Sequence, residues 1–204
     1  MATGDTKLKI CNDSLIMLGA NIITSFSDGS SAAQITDRLY DDIKVMLLSM
    51  YPWSFSMKKV QLARLETTPV TEWKYEYALP GDLIAGARAL FITTSAGGRP
   101  VTGWEKIGNK IQTNYESIWI DYQYDVSEDA LPQYFVQLLK YFLCWHFAEP
   151  VTDQISKSQY WSNMAVGSAM DNGRGGYFRQ ASMIDSQNQP NQVIEDYSLV
   201  AVRY

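Results

Sequence analysis

The hydrophobic residues of this chain change period twice, and that change limits the possible folds more than any motif does. Near the start, Leu8, Cys11, Leu15 and Leu18 recur every three or four residues, and Gly19 follows as a helix stop. A second stripe runs through Ile35, Leu39, Ile43, Leu47 and Met50; Ser30 or Ser31 can cap it, and Ser27-Asp28-Gly29 makes the turn before it. The spacing predicts helices over about 5–19 and 31–51.

The second run stops on Tyr51-Pro52-Trp53. Proline disfavours helical geometry at the residue before it, so Tyr51 is a boundary. Trp53 and Phe55 then alternate with Ser54 and Ser56, which predicts a half-buried strand. Pro52, Trp53 and Phe55 are therefore read as a structural corner that pins one layer of the fold to another.

From here to about residue 126 the period is two. Trp73, Tyr75 and Tyr77 alternate with Glu72, Lys74 and Glu76, and Ile118, Ile120, Tyr122 and Tyr124 alternate with Trp119, Asp121 and Gln123. These segments, with ARALFITT between them, predict strands of one sheet. The glycines of AGGRP and KIGNK favour antiparallel hairpins over crossovers, which disfavours a doubly wound parallel sheet.

At Leu131-Pro132 the helical period returns, and Pro132 suits a first helical turn. Phe135, Leu138, Leu139, Phe142, Leu143 and Trp145 give a broad apolar face, predicting a buried helix over 132–148 that Pro150 breaks. Thr152 or Asp153 can cap a fourth helix, about 153–171, with a face of mostly small residues: Ile155, Gln159, Ser162, Ala165, Val166 and Ala169. Beyond it, NGRGGYFRQ reads as a flexible Gly-rich loop and SQNQPNQ as polar. Leu199, Val200, Val202 and Tyr204 keep an apolar pattern able to add to a sheet edge.

The expected class is α+β: an antiparallel-type bundle of about four helices with an inserted antiparallel β region, about 53–126. Residues 1–172 form a single domain and 173–204 an extended C-terminal arm. A length of 204 residues and a hydrophobic share of 46% are enough for one substantial core. Aromatics reach 13%, and surplus Tyr and Trp favour subunit contacts.

Charge narrows the function. A net charge of -5 opposes a dedicated nucleic-acid binder, which needs clustered Lys and Arg. Between residues 116 and 153 seven acids face one base, Lys140, which reads as a solvated acidic face. Cys11 and Cys144 both lie in apolar helical patterns and read as buried free thiols of a reducing compartment. MATGDTKLKI lacks a signal-peptide core and no apolar run approaches a bilayer span, so the expectation is a soluble product made in the cytoplasm.

Catalytic patterns are weak. One histidine, His146, cannot make a His-pair metal site, and Cys144 two positions away points elsewhere on a helix. No G-x-S-x-G elbow is present, and NGRGGY matches neither a P-loop nor G-x-G-x-x-G. Asp41-Asp42 and Glu128-Asp129 could in principle supply acid and base, but adjacent residues on a helix splay apart. A tail-associated cell-wall hydrolase using Asp41, Glu128 and Asp129 is one alternative. A nucleic-acid module with Arg174 and Arg179 beside a Tyr177-Phe178 stacking platform is another.

The order of several short motifs carries a resemblance. Leu18-Gly19 ends the first helix; Ile22-Ile23-Thr24-Ser25-Phe26-Ser27-Asp28 precedes Ser30-Ser31-Ala32-Ala33; Tyr51-Pro52-Trp53-Ser54-Phe55 makes the corner. Leu79-Pro80-Gly81-Asp82, Tyr124-Asp125-Val126 and Leu131-Pro132-Gln133-Tyr134-Phe135 follow. Over roughly residues 5–170 the chain thus resembles the head-to-tail adaptors of short-tailed bacteriophages, the tail tubular protein A or gatekeeper family.

The resemblance implies a homo-dodecameric ring at the head-tail interface of the virion, between the portal protein and the next tail or nozzle protein. Genomic DNA would pass through without specific binding. It implies no catalysis, no cofactor or metal, and no membrane partner. Leu199, Val200, Val202 and Tyr204 of the arm are the expected portal-binding residues.

Overall fold

A computed structural model describes residues 4–95 and 98–188. The fold is α+β, and within those residues it comprises five α-helices and two three-stranded antiparallel sheets. Helix α1 spans Lys7–Leu18: Thr6 caps its start, and Gly19, at φ 74°, closes it in a left-handed conformation that a glycine adopts without a Cβ penalty. Helix α2 spans Ser31–Met50, and its cap is Ser30, whose Oγ accepts from the Ala33 N–H at 3.1 Å.

Helix α3, Gln133–Thr152, is the axis of the helical part; α1 and α2 pack against it, as do α4 (Ile155–Val166) and α5 (Gly176–Gln187). Its Phe135, Leu138, Leu139, Phe142, Leu143 and Phe147 are all buried, whereas Trp145 lies half-buried at the edge of the cluster. Several expectations fail here. The helix runs through Pro150, because Phe147, Ala148 and Val151 are packed and hold the last turn, which ends only at left-handed Asp153. The fourth helix starts after Gln154, not on a Thr152 or Asp153 cap, and stops at Val166 rather than 171; Gly167, at φ 81°, turns the chain into a short 3-10 segment, Ala169–Asp171. Its covered face also differs: Trp161 stacks against Tyr141, and Ser158 donates to the Trp145 carbonyl, while Ile155 and Gln159 face outward.

The β region holds β1 (Met57–Gln61), β2 (Tyr75–Ala78), β3 (Ala89–Phe91), β4 (Trp104–Ile107), β5 (Lys110–Thr113) and β6 (Trp119–Gln123). The expected single sheet is two, ordered β1-β6-β3 and β2-β5-β4. The segments around Tyr77 and Ile120 therefore lie in different sheets. Periodicity fixes which residues share a face, but not which strands pair. Every pair is antiparallel, and β4 and β5 join through the two-residue turn Gly108-Asn109, with Gly108 at φ 59°. The sheets share one core: Leu90, Ile120 and Tyr122 from the first meet Tyr77 and Ile111 from the second.

Alternation also misplaces Glu76, which is covered rather than exposed. Lys110 Nζ lies 2.8 Å from its carboxylate, and Gln112 and Thr67 also donate to it. These partners, Lys110 foremost, hold the Glu76 carboxyl below its ordinary range against a smaller opposing pull from burial.

The Gly-rich stretch read as a flexible loop opens a helix. Gly175 donates to the Val166 carbonyl at 2.8 Å, and a Cβ on Gly176 would lie 2.7 Å from both the Gly167 nitrogen and the Met164 oxygen. The glycines thus permit a close backbone crossing between α4 and α5. Residues 176–187, placed by the sequence reading in an extended arm, are helical and packed. Leu199, Val200, Val202 and Tyr204 lie outside the described residues.

Candidate functional site

The joint where the helical part passes into the β region is densely hydrogen-bonded. Residues 54–56, expected as the start of a strand, form a 3-10 turn, and β1 begins only at Met57. The cause is a distant carboxylate. Asp185 of α5 accepts from the Ser54 N–H at 2.8 Å, from Ser54 Oγ at 2.7 Å and from the Tyr134 hydroxyl at 2.6 Å, and it is 0% exposed. Burial and this contact together push the Tyr134 hydroxyl well above its ordinary range, so it remains a donor.

Trp53 fills the joint and is 0% exposed. Its ring lies 4.9 Å from Tyr51, 5.2 Å from Phe135 and 5.9 Å from Phe178, all edge-on, and its Nε1 donates to the Leu47 carbonyl at 3.1 Å. Phe55 packs edge-on to Phe135 at 5.0 Å. Pro52, just before Trp53, is half-buried. From the other side, Gln123 of β6 reaches back to the end of α2, its Nε2 lying 2.9 Å from both the Tyr51 carbonyl and Ser56 Oγ and also meeting the Leu48 carbonyl. Those carbonyls belong to the helix terminus, where intrahelical donors run out.

Gln123 and Asp185 are the joint residues that sequence reasoning missed. Gln123 sat on the expected polar face of a strand and carried no signal. Asp185 left one: with Phe178 and Ala181 it falls at helical spacing, an acid in an apolar stripe.

The acidic pairs do not converge. Asp41 is engaged by Lys7 at 3.0 Å, with Asp37 also near that lysine. Glu128 and Asp125 hold the buried Lys44 at 3.0 and 2.9 Å, tying α2 to the link between β6 and α3. The hydrolase reading needs two carboxyls opposed across a cleft, whereas Asp41 and Glu128 are engaged by different lysines. The stacking platform is also corrected: Phe178 is 4% exposed beneath α5, and Tyr177 packs edge-on to Tyr141 at 5.3 Å.

His146 stacks on Trp145 at 4.7 Å, and burial lowers its pKa, keeping the imidazole neutral at pH 7. Burial pushes the thiols of Cys11 and Cys144 up to about 12, so both stay protonated. Among the described residues, no group of three or more His, Cys, Asp and Glu is placed to hold a metal ion. Nor, among them, is any helix long and apolar enough to cross a membrane.

A hollow of about 550 Å³ lies in the β region and is lined by Leu62, Arg64, Tyr77 and Glu116. It is wide open, and its charged groups are turned on each other, with Arg64 and Glu116 3.6 Å apart. Several large apolar side chains are instead exposed on the helical part: Ile16 on α1, Ile22 after it, Ile155 on α4, Met170, and Met183 on α5.

No protein-family model matches the chain, and no curated protein matches it. Among solved structures, a chain from a structure described as the neck of an empty GTA particle computed with C6 symmetry aligns over 72% of this chain and 83% of its own. The identity is 16% and the TM-score 0.28, a likeness too slight to set fold or function.

Proposed function

We propose that this protein is a structural connector of a phage-like particle, a virion protein sitting between the portal and the next tail or nozzle protein and acting by contact rather than catalysis. The observation that carries this reading is the joint. A wholly buried aromatic cluster, a three-donor carboxylate and a glutamine clamp fix the β region on the helices in a single arrangement. Rigidity of that kind serves a part whose work is to hold neighbours at a set angle. The exposed apolar residues of α1, α4 and α5 offer the contact area that neighbours would cover.

In this reading identical copies form a ring, a homo-dodecamer by the family resemblance, and DNA passes through the pore. The excess of acid over base suits passage, since phosphates find few cations to hold them. The single domain, extended beyond residue 172 to take in the packed α5, supplies the ring, and Leu199, Val200, Val202 and Tyr204 of the arm beyond it dock on the portal.

Mass measurement of the purified protein, alone and mixed with portal rings, tests the reading. The expected result is a closed multimer on the portal; a chain that stays monomeric and unbound at all concentrations overturns it. Removing residues 199–204 is expected to abolish attachment to DNA-filled heads while leaving the circular dichroism spectrum unchanged. Attachment at the original level would remove the docking role of the arm.

A further inference from the structure

Helices α4 and α5 each bury few apolar residues, α4 only Ala165, and among the described helices α5 is the one that buries a carboxylate. Its buried residues are Phe178, Ala181 and Asp185: one ring, one methyl and one carboxylate. Helix α3 buries nine residues, none of them charged. Apolar burial is what holds a helix down, whereas a buried carboxylate surrenders its hydration for the bonds it makes and returns little net stability. What such a group does supply is register. Ser54 and Tyr134 can satisfy Asp185 in only one position of α5.

The ends of α5 fit the same pattern. It is entered through Asn172, Gly173 and Gly176, all at positive φ, where glycine leaves the backbone free to take other conformations once the crossing opens. Its last turn is tied to the corner by Asp185 and by a 2.7 Å bond between Ser186 and the Tyr51 hydroxyl. Beneath it lie Trp53, which meets Phe178; Tyr134, which donates to Asp185; and Tyr141, which meets Tyr177.

We propose that α5 is a releasable strap over the joint: it leaves and reseats as one unit while α1, α2 and α3 stay folded. When it leaves, it uncovers the Trp53 and Tyr134 rings and frees Ser54, so the turn that sets the direction of β1 loses its distant anchor. Elements with little buried apolar surface open ahead of global unfolding, and a strap of this kind belongs to that class. The chain continues for sixteen residues past Asn188, so whatever engages that segment pulls on the strap first. This last consequence rests on the arm's proposed docking; the strap itself does not.

The native cysteines make the test direct. Ala181→Cys places a thiol on the covered face of α5, while Cys11 on α1 and Cys144 on α3 report opening of the main core. In native buffer, the thiol introduced by Ala181→Cys is expected to react with an aromatic disulfide about 100-fold faster than either native thiol. Adding Ser54→Ala removes one donor to Asp185 and is expected to speed that reaction about tenfold, leaving Cys11 and Cys144 unchanged. Because Ala181→Cys could itself loosen the helix, hydrogen exchange of the unsubstituted chain is the second measurement. Amides of 177–187 are expected to exchange well before those of 138–148. One rate for all three thiols, or equal protection of the two segments, overturns the proposal.

Discussion

Replacing Trp53 is the sharpest probe of the joint. The indole is fully buried against Tyr51, Phe55, Phe135 and Phe178, and its N–H serves the Leu47 carbonyl near the end of α2. Trp53→Ala removes the ring, opens a cavity and takes away a donor, and truncating a buried aromatic costs about 3–5 kcal/mol. Trp53→Phe keeps most of the apolar area; it loses the hydrogen bond, worth about 0.5–1.5 kcal/mol, and part of the edge-on contacts, giving a total of about 2 kcal/mol. For a chain of this size each kcal/mol lowers Tm by about 2–4 °C, so Trp53→Ala is expected to drop it by roughly 6–20 °C. Urea unfolding and thermal melts, each followed by far-ultraviolet circular dichroism, measure the free-energy loss and the Tm drop. Because the joint links the helical core to the β core, both parts should lose stability together in one transition. A cost below about 1 kcal/mol for Trp53→Ala, or an unchanged β transition beside a shifted helical one, would refute the reasoning.

The crossing of α4 and α5 makes Gly176→Ala costly: a Cβ would press on the Gly167 nitrogen and the Met164 oxygen, and a loss above about 2 kcal/mol by denaturant titration is expected. Gly29→Ala, also at positive φ but in open space, should cost only about 1 kcal/mol. Lys44→Ala leaves Asp125 and Glu128 facing each other without their shared cation; since both are partly solvated, a loss of about 1–2 kcal/mol is expected in the same assay. Glu76, held down by Lys110, and Asp28, held down by Ser30, have folded pKa values below their unfolded ones. Their stabilisation is therefore complete above about pH 5 and fades as pH falls through the lowered values, so thermal stability measured against pH should decline on the acid side. Unchanged Tm from pH 6 to pH 2.5 would contradict this.

The alternation of apolar residues, together with Gly19, Ser30 and Pro132, told where most helices and strands lie, since local period and capping chemistry act over only a few residues. Leu138, Leu139, Phe142 and Leu143 marked the buried helix for the same reason. The end of α2 at Tyr51 was legible too, because a proline disfavours helical geometry at the residue before it. The acid-rich balance and the scattered carboxylates were equally open to reading from the sequence.

Tertiary structure alone decided the rest. Strand pairing depends on which edges meet across tens of residues, and so Tyr77 and Ile120 came to lie in separate sheets that share a core. Helix α5 escaped notice because its glycines signal a loop locally, and only their close approach to Gly167 turns them into a helix entrance. Ser54 became a 3-10 turn because Asp185, 131 positions later, bonds its N–H and hydroxyl. Sequence carries what neighbouring residues dictate through period and capping; contacts between distant residues exist only once the chain is packed.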